Sequence, residues 1–298
     1  MKFFVVDAFT KQPFRGNPAG VVFLEDDETL PEETMQKLAA EVRFSETAFV
    51  REFQDGFEIR YFTPVSEIDL CGHATIATFR ALMEIGAVER GGRYVVYTKV
   101  GRLNIQLEDE LVMMEQGVPR IGRKFSRRED MEKIASLLRL TSDDILCDPE
   151  GLCPTVVSTG LWDLLVPVKS VDVLHGIVPD LKAIESFTKE EGLVSVHVFA
   201  FGEEGTTLCH TRDFAPLYGI PEESATGTAN GALIYLLYHL GIVEGNKLYE
   251  IRQGESMNRP SEIYAKVLTQ LPVEKGDAGV RVFVGGYGKV IVSGSLKI

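Results

Sequence analysis

Cysteine is scarce, with four in 298 residues, too few for a disulfide scaffold in a chain of this length. Cys71, Cys147, Cys153 and Cys209 form no C-x-x-C pair, and the five histidines are scattered with no H-E-x-x-H among them. Cys209-His210 is the one adjacent Cys/His pair, well short of the ligand count of a zinc site. The sequence therefore predicts buried or redox-silent thiols and no metal. Long apolar runs are missing too. A membrane-spanning helix needs roughly 18 consecutive apolar residues, and the richest stretch, 193–201, is broken by Ser195 and His197. Basic runs are absent, and Lys plus Arg (31) is outnumbered by Asp plus Glu (44), a net charge of −13. Because nucleic-acid affinity comes from clustered cations, neither a nucleic-acid partner nor a membrane is expected. The opening MKFFVVDAF reaches Asp7 after four apolar residues, too few for the core of a signal peptide, so the protein is expected to be cytoplasmic. There is also no G-x-S-x-G, no G-x-G-x-x-G and no P-loop.

What is present is a globular composition, 45% apolar and 25% charged, with length for two domains. Short β-branched and aromatic runs predict strands over 3–9, 20–24, 47–51, 57–62, 93–97, 103–107 and 111–116, with further strands in 280–298. A helix is predicted over 31–42, opened by Pro31 with acids in its first turn and apolar Met35, Leu38, Ala39 and Val42 on one face. A smaller one is expected over 128–139, within a charged, then turn-rich, connection between Gly117 and Pro154. Two others, 72–86 and 227–240, the latter stopping at Gly241, are apolar on all sides, as a helix enclosed by protein must be. Two buried helices in a strand-rich chain imply two sheets, each wrapped around its own helix.

These helices expose an internal repeat. CGHATIATFRALM (71–83) aligns with TGTANGALIYLLY (226–238), and Arg60-Tyr61-Phe62-Thr63-Pro64 is echoed by Arg212-Asp213-Phe214-Ala215-Pro216. A two-fold repeat can bring two helix N-termini to one cleft, where unpaired N–H groups and the helix dipole bind an anion such as a carboxylate. Gly72 and Gly227 would let the anion approach the backbone, or would simply permit tight turns. Glu46, at the start of an apolar strand, is a candidate acid–base group if desolvation raises its pKa; it could equally be an exposed strand-end carboxylate. His73, in the first turn of a buried helix, reads as a neutral hydrogen-bond donor or proton relay, or as a satisfied core histidine. Cys71 precedes a helix N-terminus, which favours a thiolate, yet the equivalent position is Thr226.

DAF…GNPAGVV (7–22), SETAFV (45–50), RYFTP…LCGHAT (60–75), RDFAP…EESATGTANGAL (212–233) and QGESMNRPS (253–261) together resemble the PhzF family of phenazine-biosynthesis-like isomerases. The resemblance implies the α+β diaminopimelate epimerase-like fold: two pseudo-symmetric domains, each a curled, mainly antiparallel sheet around a central buried helix. The expected domains are 1–117, completed by a returning strand at about 287–298, and 118–286. It also implies a homodimer without cofactor that performs a proton shift, as when a carboxylate of the phenazine enzyme moves a proton between ring carbons of dihydro-hydroxyanthranilate. Carried over, the catalytic residues are Glu46 and His73, and the substrate-binding residues are Gly72, Ala74, Glu223, Gly227 and Thr228. Glu223 stands where the family motif has aspartate, and Thr228 where it has serine. The expected substrate is a small carboxylate-bearing metabolite. Alternatives are an amino-acid racemase, epimerase or dehydratase using Cys71, and a non-catalytic metabolite-binding protein.

Overall fold

The computed structural model describes residues 1–25, 29–148, 151–203, 205–269 and 279–298. Among them no helix is long and apolar enough to cross a membrane. The chain divides into two compact units, Met1–Glu115 with Gly285–Ile298, and Gln116–Val284.

The first unit runs β1 (Lys2–Ala8), β2 (Asn17–Phe23), α1 (Glu32–Val42), β3 (Thr47–Phe53), β4 (Gly56–Phe62), β5 (Glu67–Ile68), α2 (Gly72–Glu84), β6 (Arg93–Thr98), β7 (Gly101–Glu108) and β8 (Leu111–Glu115). The second continues through β9 (Arg120–Lys124), α3 (Arg128–Leu138), β10 (Thr155–Ser158), β11 (Trp162–Pro167), α4 (Val171–Gly176), α5 (Leu181–Glu191), β12 (Ser195–Phe201), β13 (Cys209–Ala215), β14 (Ile220–Glu223), α6 (Gly227–His239), β15 (Tyr249–Gln253), β16 (Ser261–Thr269) and β17 (Val280–Gly286). The last strand, β18 (Gly288–Ser295), belongs to the first unit.

Strand pairing follows one path in both units. In the first, β1 pairs antiparallel with β2, β2 parallel with β3 across α1, β3 antiparallel with β4, β4 parallel with β6 across α2, and β6–β7–β8 continue antiparallel. In the second, β10, β11, β12, β13, β15 and β16 repeat the same antiparallel and parallel steps, with α5 and α6 as the crossovers. Each parallel step needs such a crossover, because parallel neighbours cannot be joined by a tight turn. Each first strand gains one more antiparallel neighbour, β18 on β1 and β9 on β10.

The central helices are enclosed. α2 packs against β1, β2, β3, β8 and β18, and α6 against β10, β11 and β16. From His73 to Leu82 every α2 side chain except Arg80 is buried, which is why its apolar residues cover the whole circumference. The other face of each sheet is covered as well. Val22, Met35, Ala39, Phe49 and Phe62 pack beneath α1, while Leu164, Val196, Phe214, Ile184 and Phe187 form a core beneath α5. Strands covered on both sides cannot show a clean polar alternation, and six of the seven residues of β12 are buried.

Two expectations change. The strands β9 to β16 and the helices α4 and α5 were not anticipated; α5 buries just Ile184, Phe187 and Thr188, a stripe too narrow to stand out in the sequence. Cys147 and Cys153 are joined in a disulfide, and Cys71 and Cys209 are the buried free cysteines. The chain between the bridged pair doubles back, with the Asp148 N–H on the Leu152 carbonyl at 2.8 Å, which sets the two sulfurs face to face. Pro149 and Glu150 of that turn-rich segment lie outside the described residues.

Candidate active site

In the first unit, three chain segments meet at the start of α2. Glu46 ends the connection from α1 to β3, Cys71 is the N-cap of α2, and His73 lies in its first turn. His73 Nε2 stands 3.0 Å from Glu46 Oε2, with side chains 8% and 12% exposed. No hydrogen bond of good geometry reaches Glu46 Oε2, so the 3.0 Å approach of His73 is chiefly an ionic contact. Cys71 Sγ is 3.4 Å from His73 Nδ1, and the Ser45 hydroxyl is 3.5 Å from Nε2. The Asn17 amide, 3.2 Å from Nδ1, can present its oxygen to a protonated ring or its NH₂ to a neutral one. Asn17 arrives there through Gly16, whose φ of +67° and contact with the Ala8 carbonyl leave no room for a Cβ. The GNPAG motif is thus a turn that delivers a side chain to His73.

The charges reverse the expectation. Burial alone would raise the Glu46 carboxyl, but the charge of His73 and the polar groups of His73, Ser45 and Cys71 around it outweigh burial and hold the carboxyl below its ordinary 4.5. Burial pulls the His73 imidazole down, yet its polar contacts with Cys71 and Glu46 win and leave it well above 6.5. Burial pushes the Cys71 thiol up, so no thiolate forms there and Glu46 is the charge that His73 faces at neutral pH. The reason is geometric: desolvation acts on each group alone, whereas two opposite charges at this separation in a dry site stabilise one another more strongly. The raised carboxyl, the neutral histidine and the thiolate expected from sequence position are all corrected to a carboxylate–imidazolium pair beside a thiol. Glu46, Cys71 and His73 each offer a ligand atom within 4.8 Å of the others, so the same cluster could also ligate a cation.

Neither α2 nor α6 has a side-chain cap hydrogen bond, so the N–H groups of their first turns, apart from that of Ala74, which turns to Cys71, remain available. Gly72 and Gly227 are not required by the protein itself. Neither has a positive φ, and a Cβ would meet just Met114 Cε at 3.5 Å or Val284 Cγ1 at 4.0 Å. A glycine the fold does not need leaves clearance for something else. Ala74, fully buried, seats the first turn of α2 in the core.

In the second unit, Glu223, Gly227 and Thr228 gather around the start of α6. Gln253 organises that turn: its Oε1 accepts from the Thr226 N–H (3.2 Å) and the Asn230 amide (2.8 Å), and its Nε2 donates to the Glu223 carbonyl (2.8 Å). Thr228 accepts through its carbonyl from the Thr159 hydroxyl at 3.0 Å. Beneath lies a network that the sequence reading missed. The Thr226 hydroxyl donates to Asp213 Oδ2 (3.1 Å), while Asp213 Oδ1 faces His197 Nδ1 (2.9 Å) and the Ser195 hydroxyl (2.7 Å). Ser195 also lies 2.9 Å from Asp163 Oδ1, and a hydroxyl has one proton to give. Both carboxyls can share it if one is itself an acid. Burial and the charge of Asp213 push Asp163 well above the usual range, so Asp163 is the protonated partner. The signal was visible as Ser195 and His197 interrupting an apolar run.

A family model described as phenazine biosynthesis-like protein matches residues 6–294. The uncharacterized isomerase YfhB of Bacillus subtilis is 35% identical, covering 96% of this chain and 94% of its own. The trans-2,3-dihydro-3-hydroxyanthranilate isomerase of Pseudomonas aeruginosa is 34% identical, covering 89% and 90%. The crystal structure of a PhzF-family protein from Bacillus anthracis superposes with a TM-score of 0.85 at 30% identity, covering 100% and 99%. With the α+β fold and the position of these motifs in it, the chain belongs to the phenazine biosynthesis-like, PhzF, family of isomerases.

Proposed function

We propose that the protein moves a proton between two carbons of a small carboxylate-bearing metabolite without a cofactor, with Glu46 as the acid–base group. The observation that carries this reading is the buried Glu46–His73 pair at the uncapped N-terminus of α2, with no hydrogen bond of good geometry on Glu46 Oε2. Glu46 starts as the carboxylate and takes a proton from substrate carbon. As the proton moves, the negative charge passes from Glu46 to the substrate, and the His73 imidazolium can face it before and after. The N–H groups that open α2, beginning with Gly72, add oriented dipoles of the kind that stabilise developing anions. Glu46, now the acid, returns the proton at a second carbon, so no group is consumed. Glu223, at the end of β14, and Gly227 and Thr228, at the start of α6, are proposed as a further substrate-binding group.

The test is turnover of trans-2,3-dihydro-3-hydroxyanthranilate, followed by absorbance in H₂O and D₂O, for the native protein and Glu46→Gln. Loss of the acid–base group should lower the rate roughly 10²–10⁴-fold while circular dichroism is unchanged. A Glu46→Gln protein as fast as the native one removes Glu46 from the mechanism. Cys71→Ala should keep the native rate, since its counterpart is a threonine and its thiol stays protonated. If neither protein turns over this compound, deuterium uptake into other small unsaturated carboxylates identifies the substrate class.

A further inference from the structure

His175, His210 and Glu255 are far apart in sequence and have no part in the chemistry above. His175 lies on the short crossover helix α4, His210 on β13, and Glu255 directly after β15. The fold brings them to one point. His210 Nδ1 is 2.6 Å and His175 Nε2 is 3.3 Å from the same oxygen, Glu255 Oε2, and the two rings stand edge to face with centroids 6.3 Å apart. One ligand atom from each residue lies within 4.8 Å of the others.

We propose that these three side chains form a binding site for a late first-row divalent cation such as Zn²⁺. Two imidazoles and a carboxylate are the donor types such ions select. With metal–ligand bonds of about 2.0–2.1 Å, donors on a tetrahedral ion lie roughly 3.4 Å apart. The His175–Glu255 separation already has that value, and the His210–Glu255 hydrogen bond must open by less than an ångström when an ion replaces the shared proton. The place of Glu255 is fixed by Gly254, where φ is +78° and a Cβ would collide with the Arg259 and Ser224 carbonyls at 2.4 and 2.6 Å. Arg252, opposite His210 in the β13–β15 register, is turned to Glu250 at 3.1 Å, which keeps a competing cation occupied. The His175 side chain is 40% exposed, so water can complete the coordination shell. The bound ion would clamp α4 to β13 and to the end of β15.

Co²⁺, a spectroscopic substitute for Zn²⁺, distinguishes this site from the Glu46–Cys71–His73 cluster, because a thiolate ligand adds a sulfur charge-transfer band in the near ultraviolet. Titrating the chelator-treated full-length protein should give one equivalent of Co²⁺ with visible ligand-field bands and no sulfur band, displaced by Zn²⁺. Zn²⁺ should also raise the thermal midpoint by mass action. His210→Ala and His175→Ala should each weaken Co²⁺ binding by more than the roughly 10–100-fold typical of losing an outer partner, and Cys71→Ala should leave it unchanged. His175 is exposed enough that its replacement does not threaten the fold. Absence of Co²⁺ uptake, uptake indifferent to both histidine substitutions, or uptake lost in Cys71→Ala would each overturn the proposal.

Discussion

His73 keeps its proton to higher pH than a free imidazole because Cys71 and the carboxylate of Glu46 face it in a dry site. Its contribution to stability is therefore complete below about 6.5 and disappears as pH rises through the raised folded-state value. Glu46 acts in the opposite sense, contributing above about 4.5 and losing its effect as pH falls through its depressed value. The pair is intact between those two limits. In Glu46→Gln the imidazole loses that partner while its burial remains, so its midpoint should drop; the NMR titration of the His73 ring protons in both proteins measures this. An unmoved midpoint would mean the two groups are not coupled. Asp163 makes a second prediction. Its carboxyl keeps a proton in the folded protein that the unfolded chain gives up near 3.8, so it erodes stability as pH rises from there toward the folded value. Asp163→Asn cannot ionise, and urea denaturation at stepped pH should show the variant gaining on the native protein as pH increases.

At the scale of elements, the repeat is a repeat of interactions. Arg60 grips Glu67 through Nε and Nη2 at 2.7 and 2.8 Å, and Arg212 grips Glu222 in the same two-pronged way at 2.8 Å. Each guanidinium also lies over the phenylalanine two residues on, Phe62 at 5.2 Å and Phe214 at 5.0 Å. R-x-F thus ties a strand to the short strand that precedes each central helix. The three extra residues of the second loop are absorbed by a 3-10 turn, Pro216–Tyr218. Beyond the helices, the hydroxyl of Tyr94 accepts from the Glu89 N–H at 2.7 Å, and that of Tyr249 from the Glu244 N–H at 2.9 Å. The repeat stops at the chemistry, since the place of Glu46 before β3 is taken by Val194 before β12. Because neither helix-opening glycine is needed by the fold, Gly72→Ala should leave thermal stability unchanged or raise it by up to about 1 kcal/mol. Its KM for substrate should rise, since a methyl group would fill the approach to the N–H groups.

For the molecule as a whole, β18 belongs to a unit whose other strands lie at the opposite end of the sequence. It pairs with β1 over seven positions, from Lys2↔Ser295 to Ala8↔Gly288. Most of its own side chains are at least partly exposed, so its contribution is chiefly the ladder, at about 0.5–1.5 kcal/mol per hydrogen bond. Removing residues 288–298 would also leave KFFVVDA as a bare apolar edge, which invites pairing between chains. The truncated protein should melt well below the full chain and aggregate at micromolar concentration, as thermal scans and gel filtration would show. A truncated chain as stable and monodisperse as the original would contradict this.

Most strands of the first unit and the two enclosed helices were readable from their apolar and β-branched runs, whereas the two-residue β5 and the strands β9 to β16 were not. The repeat was readable too, since Arg60 and Arg212 do the same local work. Of the candidate residues named from the sequence, Glu46, Gly72 and His73 lie together in one unit and Glu223, Gly227 and Thr228 in the other. Their protonation was not legible, because a pKa depends on which charge lies 3.0 Å away through space, and Glu46 and His73 are 27 positions apart in the chain. Asp163, Ser195, His197 and Asp213 looked like stray polar residues in apolar strands until pairing set them side by side. The Cys147–Cys153 bridge and the meeting of His175, His210 and Glu255 share that origin. Local propensity and burial pattern act over a few neighbouring residues and leave their mark in the sequence, whereas the encounter of distant side chains is decided by strand register and crossover path.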